Sequence, residues 1–260
     1  MNSVWALDLD GVVWLADDPI PGAATAVATL RAAGIRVLFA TNNSSVRVGD
    51  VEAKLARHEI PAAGDVVTSA MAGALAVEPG ERVLVLGGPG VFEALQGRGV
   101  EAIDAASVGP GEPPQVDAVM VGFHREFDYE RLRAGAVAVR RGARLIGTND
   151  DATYPTPTGP IPGGGSILAA VAMGAGAVPL VTGKPYQSMA TAVVAVAGGP
   201  VAWMIGDRPD TDGNFAVTLG ARFGLVLSGV THESDLPVTP VPQKISKNLA
   251  QLVVEVLADC

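Results

Sequence analysis

The chain has 260 residues, a formal net charge of −9, 48% hydrophobic residues and 17% charged ones. That composition belongs to a folded chain with room for two modest domains or one large one, and it excludes an extended disordered protein. No basic run stands out, so neither nucleic acid nor an anionic membrane has electrostatic support as a partner.

The single cysteine, Cys260, excludes an intrachain disulfide and suits a cytoplasmic location. Residues 1–9 lack a basic region followed by an apolar stretch, and Asp8 and Asp10 arrive too early for a signal peptide. The most apolar window, residues 167–178, is too short to span a bilayer and is followed by Pro179. It is expected to form a buried helix.

In chain order, residues 4–9 are a short apolar run ending in acidic residues, a strand followed by a loop. After Pro21-Gly22, the helical spacing of Ala23, Ala26, Val27 and Leu30 predicts a helix that Gly34 ends. Residues 35–40 form a second β-rich run, closed by Thr41-Asn42-Asn43-Ser44-Ser45, and 48–58 a second helix. This alternation is that of a parallel sheet covered by helices. A new alternation starts after Pro79-Gly80. Strands are expected at 82–86, 100–103, 116–122 and 144–148, helices at 91–96 and 129–140, and a Gly- and Pro-rich loop at 108–114. After Gly183-Lys184-Pro185 come a helix to about 196, a strand at 201–205, Gly206-Asp207, another helix, a strand at 222–227 and a last helix near 248–257. The fold class is therefore α/β: a Rossmann-like, doubly wound parallel core made of residues 1–74 and 181–260, with an α/β domain, 75–180, inserted.

The chemically capable residues share one kind of place. Asp8 and Asp10 follow the first strand, Thr41 and Asn42 the second, Lys184 the return from the insert, and Asp207 the strand at 201–205. In open parallel sheets, ligands bind outside the carboxyl ends of the strands. A carboxylate there can attack phosphorus and form an acyl phosphate. Repulsion between the two anions then calls for a hard divalent cation such as Mg²⁺, which carboxylates bind, and for a lysine charge. A hydroxyl and backbone N–H groups can hold phosphoryl oxygens, and a second carboxylic acid can protonate the leaving group and then activate water.

The same residues, in the same order, resemble the four motifs of the haloacid dehalogenase superfamily. Asp8-Leu9-Asp10-Gly11-Val12-Val13 is similar to the first, Thr41-Asn42-Asn43-Ser44-Ser45 to the second, Gly183-Lys184-Pro185 to the third and Gly206-Asp207-Arg208-Pro209-Asp210-Thr211-Asp212 to the fourth. The fourth has the form seen in the NagD and para-nitrophenyl phosphatase branch. The inserted block resembles that branch's large α/β cap, through Gly122-Phe123-His124-Arg125-Glu126-Phe127, Thr148-Asn149-Asp150 with Tyr154-Pro155, and Pro162-Gly163-Gly164-Gly165-Ser166-Ile167.

The resemblance implies a Mg²⁺-dependent phosphatase acting on a small phosphorylated metabolite through an aspartyl-phosphate. It makes Asp8 the nucleophile and a metal ligand. Asp10 becomes the general acid and base, with its backbone carbonyl on the metal. Thr41, Asn42 and Lys184 hold the phosphoryl group, Asp207 binds the metal, and Asp212 supports the metal shell through Lys184 or water. Tyr154 and Asn149 are its cap candidates for substrate contact, and it allows a homodimer through the cap. Substrates of the branch include sugar phosphates, phosphoglycolate, glycerol phosphate, pyridoxal phosphate, nucleotides and 4-nitrophenyl phosphate. Two departures stand out. Gly213 replaces a β-branched residue and is expected to loosen the next helix start; Gly164 replaces Asn or Thr.

Other readings of these residues exist. Asp8, Asp10 and Thr41 can cap helices or loops, and Lys184 can be solvated. Asp210 reads as a surface turn residue, and Asp17 and Asp18 as loop residues before Pro19. Gly87-Gly88-Pro89-Gly90 follows a strand but lacks the third glycine of a dinucleotide fingerprint, with Glu93 in its place, so it reads as a tight βα turn. His124 can face a substrate from the cap or be a surface loop residue, and is expected at the surface; Tyr154 can equally be a packing residue. A receiver-type phosphoacceptor domain would be about half this length and would have no use for the insert. A silent phosphometabolite-binding protein would not need Asp8, Asp10, Lys184 and Asp207 together.

Overall fold

The structure is a computed structural model that describes residues 3–154, 156 and 158–259. Pro155 of the Tyr154-Pro155 motif and Cys260 lie outside the described residues. In chain order the elements are β1 (Val4–Leu7), β2 (Trp14–Leu15), β3 (Asp18–Pro19), α1 (Ala23–Ala32), β4 (Arg36–Thr41), α2 (Val48–Arg57), β5 (Val66–Thr68), α3 (Ser69–Ala74), β6 (Arg82–Leu86), α4 (Pro89–Gly97) and β7 (Glu101–Asp104). They continue with β8 (Ala118–Val121), α5 (Tyr129–Arg140), β9 (Arg144–Gly147), β10 (Thr153–Tyr154), β11 (Ile161–Pro162), α6 (Gly164–Ala175), β12 (Leu180–Val181), α7 (Gln187–Ala197), β13 (Trp203–Gly206), α8 (Asn214–Leu219), β14 (Arg222–Val226), β15 (Lys244–Ser246) and α9 (Leu249–Ala258).

The chain divides into two compact units. One comprises Met1–Thr41, Gly49–Val67 and Lys184–Cys260; the other comprises Asn42–Val48 and Thr68–Gly183. The first unit is built on a six-stranded sheet in the order β15-β14-β13-β1-β4-β5. The pairings β1–β13, β1–β4, β13–β14 and β14–β15 are all parallel. β1 and β13 are buried along their whole length, as a parallel sheet covered on both faces requires. From β1 the chain winds outward through β4 and β5; after the second unit it returns to the other side of β1 and winds through β13, β14 and β15. The direction reverses between β1 and β13, which is where open α/β sheets form their ligand crevice. Asp8 is the first residue after β1, and Asp207 the first after β13. On this sheet α1 buries the expected stripe of Ala23, Ala26, Val27 and Leu30, and packs against α9.

The second unit has a five-stranded sheet, order β12-β9-β8-β6-β7, with parallel pairing throughout. Its residues alternate between two cores. Leu84, Leu86, Val119, Val121 and Leu145 meet α5 and α6 on one face, through Ala134, Ala138, Leu168 and Val171. Val83, Val85, Ala118, Met120 and Ile146 meet α3 and α4 on the other, through Ala70, Ala74, Val91 and Leu95.

The apolar window at 167–178 is not a fully buried helix. α6 spans Gly164–Ala175 and buries Ile167, Leu168 and Val171, while Met173 and Val178 are largely exposed. The window is one-sided because α6 lays Ile167, Leu168 and Val171 on a single sheet face. No helix among the described residues is long and apolar enough to cross a membrane.

The turn at Gly87-Gly88-Pro89-Gly90 has a packing cause. A Cβ on Gly88 would lie 2.4 Å from the Ser45 carbonyl oxygen, and one on Gly90 would lie 2.2 Å from that of Val46. Both contacts are with backbone, which cannot swing away. Gly88→Ala should therefore destabilise the second unit by about 1–3 kcal/mol, read as a lower urea midpoint. An unchanged midpoint would contradict this account of the turn. Gly213 and Gly164 have similar roles: added Cβ atoms would meet Pro240 Cγ at 2.9 Å and Asn149 Oδ1 at 2.8 Å. Gly213 thus sits under tight packing, and the helix start it was expected to loosen is covered by Pro240 and Phe223.

Candidate active site

Asp8, Lys184, Asp207 and Asp212 come together at the carboxyl edge of the first unit's sheet, and all four are buried. The Lys184 Nζ donates to Asp8 Oδ1 and to Asp212 Oδ1, both at 2.7 Å. Carboxylate oxygens of Asp8, Asp207 and Asp212 all lie within 4.8 Å of one another. Asp207 is held from one side only: its Oδ2 accepts the Val230 N–H at 2.6 Å, while its buried Oδ1 has no partner among the described residues. The bonded side of the Asp207 carboxylate fits there because Gly11 and Gly229 carry no side chain. A Cβ on either would fall 2.4 Å and 2.0 Å from Asp207 Oδ2. Ser228 closes the cradle by donating its hydroxyl to the Gly11 carbonyl at 2.7 Å.

The electrostatics follow from burying three carboxylates around one ammonium. Burial raises the pKa of Asp8, opposed by Lys184 and reinforced by Asp10. Burial, with Asp212 and Asp8 nearby, pushes Asp207 up to about 8. Asp212 is pushed up by burial to about 6, against the pull of Lys184. Burial works against the charged form of Lys184, but Asp212 and Asp8 together outweigh it and hold its pKa above the ordinary lysine value. With all four ionised, two negative charges remain uncompensated.

That deficit, the unpartnered Asp207 Oδ1 and an all-oxygen donor set fit a hard divalent cation. Asp8, Asp207 and Asp212 supply the carboxylates. Asp212 had been expected to act at one remove, through Lys184 or water; it makes the Lys184 contact and also stands within the carboxylate cluster.

Asp10 is half-buried beside this cluster. Its Oδ1 accepts the Trp14 indole N–H at 3.1 Å. Burial raises its pKa, while Lys54, the Trp14 hydrogen bond and Lys184 act in the opposite direction. Thr41 is buried at the end of β4. Asn42, the next residue, belongs to the second unit, where its amide donates to Asp151 Oδ2 at 3.0 Å and its carbonyl accepts from Asn149 Nδ2 at 2.8 Å. Tyr154 stacks on Phe123 with ring centroids 4.7 Å apart. His124 is not a surface residue: it is 7% exposed, its Nδ1 bonds the Gly122 carbonyl at 3.0 Å, and its ring meets Phe127 edge-on. A polar ring can be buried there because the backbone two residues earlier satisfies one nitrogen. Asp210 is an exposed turn residue paired with Arg208, and Asp17 and Asp18 are exposed in the β2–β3 hairpin.

Sequence reasoning missed Trp14, Lys54, Gly229 and Val230. The last two follow β14, so the strand-end rule that found Asp207 pointed at them as well. Nothing in the pattern of Trp14 or Lys54 set them apart from ordinary core and surface residues.

Comparison with known proteins agrees with this geometry. The haloacid dehalogenase-like hydrolase family matches residues 5–101, and a related family of the same hydrolase type matches residues 181–252. An acid sugar phosphatase from Staphylococcus saprophyticus is 34% identical over 259 residues, covering 96% of each chain. A p-nitrophenyl phosphatase from Archaeoglobus fulgidus superposes with a TM-score of 0.88 at 26% identity, over 98% of this chain and 99% of that one. A glycerol phosphate phosphatase from Mycobacterium tuberculosis, solved in complex with magnesium, superposes with a TM-score of 0.86 at 33% identity, over 96% of this chain and 77% of that one. The chain therefore belongs to the haloacid dehalogenase-like hydrolases, in the branch of NagD and the para-nitrophenyl phosphatases, and is a phosphoric monoester hydrolase.

Proposed function

We propose that the protein hydrolyses small phosphate monoesters in two transfers, with Asp8 as the group phosphorylated between them. The observation that carries this reading is the placement of the Asp8 carboxylate. It stands at the switch point of the sheet, buried, 2.7 Å from Lys184 and beside Asp207 and Asp212. A carboxylate held there is aimed by its lysine contact and sits where a ligand reaches the sheet edge.

In the first transfer an Asp8 oxygen bonds to phosphorus as the ester P–O bond breaks, and the departing oxygen keeps the electron pair and takes a proton from Asp10. In the second, water attacks phosphorus and gives its proton to Asp10. The bond between phosphorus and Asp8 breaks, and inorganic phosphate leaves. Lys184 offsets charge on Asp8 and fixes its orientation, and the Thr41 hydroxyl is the group proposed to hold a phosphoryl oxygen. A divalent cation, which we take to be Mg²⁺, would be held by Asp8, Asp207 and Asp212 with the Asp10 carbonyl, and when bound it supplies positive charge against the phosphoryl oxygens. The relatives act on sugar phosphate, 4-nitrophenyl phosphate and glycerol phosphate, all small monoesters, which supports that substrate class.

The direct test is turnover of 4-nitrophenyl phosphate by purified protein with Mg²⁺; no release of phosphate from this ester or from sugar and glycerol phosphates would sink the reading. Asp10→Asn should reduce kcat by about 10²- to 10⁴-fold, the usual worth of a positioned acid–base group, while Mg²⁺ binding stays near wild type. A variant that loses Mg²⁺ binding would show that the Asp10 carboxylate has a different task.

A further inference from the structure

Asp10 sits at the mouth of a small hairpin that folds back on itself. The Gly11 N–H donates to the Trp14 carbonyl at 2.7 Å, the Val13 N–H donates to the Leu9 carbonyl at 2.8 Å, and β2 pairs antiparallel with β3. This brings the Trp14 side chain back beside Asp10, four residues earlier. The indole is 4% exposed, and its one polar atom donates to Asp10 Oδ1.

Lys54 of α2 and His58, the residue after that helix, brace the indole. The Lys54 Nζ lies 4.3 Å from the centroid of the Trp14 ring, and the His58 ring packs against it at 5.9 Å. Lys54 also pairs with Asp17 at 3.2 Å and donates to the Ala16 carbonyl. Ala16 is one of two non-glycine residues at positive φ among the described residues, +52°, so the turn that presents Trp14 uses a backbone conformation that alanine alone does not favour. A cation over the ring, a hydrogen bond to the strained turn and an ion pair to the hairpin tip all come from one lysine.

An aspartate on a loop samples several side-chain rotamers, and only some place an oxygen where a proton can be exchanged. We propose that Trp14, braced by Lys54, is a positioning residue for Asp10: the indole N–H fixes one carboxylate oxygen and leaves the other as the one that exchanges the proton. This rests on Asp10 being the acid–base group.

Trp14→Phe keeps an aromatic ring in the buried position and deletes only the donor and part of the ring. With 4-nitrophenyl phosphate and Mg²⁺, kcat should fall about ten- to a hundredfold while KM stays within about twofold, as expected for losing a hydrogen bond to a charged group that matters in the transition state. In the Asp10→Asn background the same change should have almost no further effect on kcat, because Trp14 acts only through Asp10. A merely structural role would lower stability equally in both backgrounds and leave no such non-additivity. Lys54→Met, which keeps the aliphatic stem, supplies a second arm. It should lower kcat severalfold, and that loss too should vanish beside Asp10→Asn. Wild-type kcat in Trp14→Phe and Lys54→Met alongside a slow Asp10→Asn enzyme overturns the proposal alone, as does a Trp14→Phe loss that adds fully to that of Asp10→Asn. Wild-type kcat in Asp10→Asn overturns the acid–base reading on which it stands.

Discussion

Asp8→Asn should lower kcat for 4-nitrophenyl phosphate by about 10⁴-fold or more while the protein remains folded. The amide has the shape of the carboxylate but cannot form the phosphoryl bond, so no compensating path uses the rest of the site. The fold should tolerate the change for an electrostatic reason. Asp8 is one of three buried carboxylates around a single lysine, and Lys184 keeps its 2.7 Å partner at Asp212. Removing one negative charge relieves a site that carries too many. Thermal melting of the metal-free variant should therefore match or exceed wild type. A variant with wild-type turnover in a preparation free of contaminating phosphatase would show that Asp8 is not the nucleophile.

Chelating the divalent cation should abolish activity, and it should make stability depend on pH in a direction opposite to ordinary acid denaturation. Asp207, at about 8, and Asp212, at about 6, sit above the ordinary carboxylate value of 3.8. The folded chain then holds protons that the unfolded chain has already released. The stability contributed by this pair is fully present below about pH 4, declines as pH rises, and is lost for Asp212 by about pH 6 and for Asp207 by about pH 8. Each such proton costs about 1.4 kcal/mol per pH unit. In EDTA, the melting temperature should fall between pH 5.5 and 8. A bound cation replaces the protons, so the stabilisation by Mg²⁺ should be larger at pH 8 than at pH 5.5. In Asp207→Asn the EDTA profile should be flatter. Equal Mg²⁺ shifts at both pH values would contradict the picture of a carboxylate cluster awaiting a cation.

Much of this site was legible in the sequence because of where it lies. Asp8, Thr41 and Asp207 each sit at the end of a strand whose apolar run is easy to see, and a parallel sheet brings such ends to one edge. Lys184 was legible only through its neighbours Gly183 and Pro185, since nothing in a lone lysine announces burial among carboxylates. The strands that escaped notice are short or poorly patterned. β2, β3, β10, β11 and β12 have two residues each, β5 has three, and β15 emerges from a proline-rich stretch in which no period can show. Contacts made by folding back were hidden for a different reason. The Trp14–Asp10 hydrogen bond depends on the hairpin at Ala16, and the burial of His124 depends on one backbone carbonyl. Neither leaves a trace in spacing. The glycines at 88 and 90 were legible as a turn, but their cause lies in residues 45 and 46, more than forty positions earlier.

In the proposed reaction, phosphate passes through Asp8. The most direct measurement uses Asp10→Asn, in which the second transfer is slowed, with 4-nitrophenyl phosphate, whose leaving group departs without a proton. Quenching after one turnover and reducing with borohydride converts an acyl phosphate to the corresponding alcohol, and peptide mass spectrometry then locates it. Homoserine is expected at position 8, formed only when substrate and Mg²⁺ are both present. Release of nitrophenol with position 8 unmodified, or with the modification on Asp207 or Asp212, would contradict it.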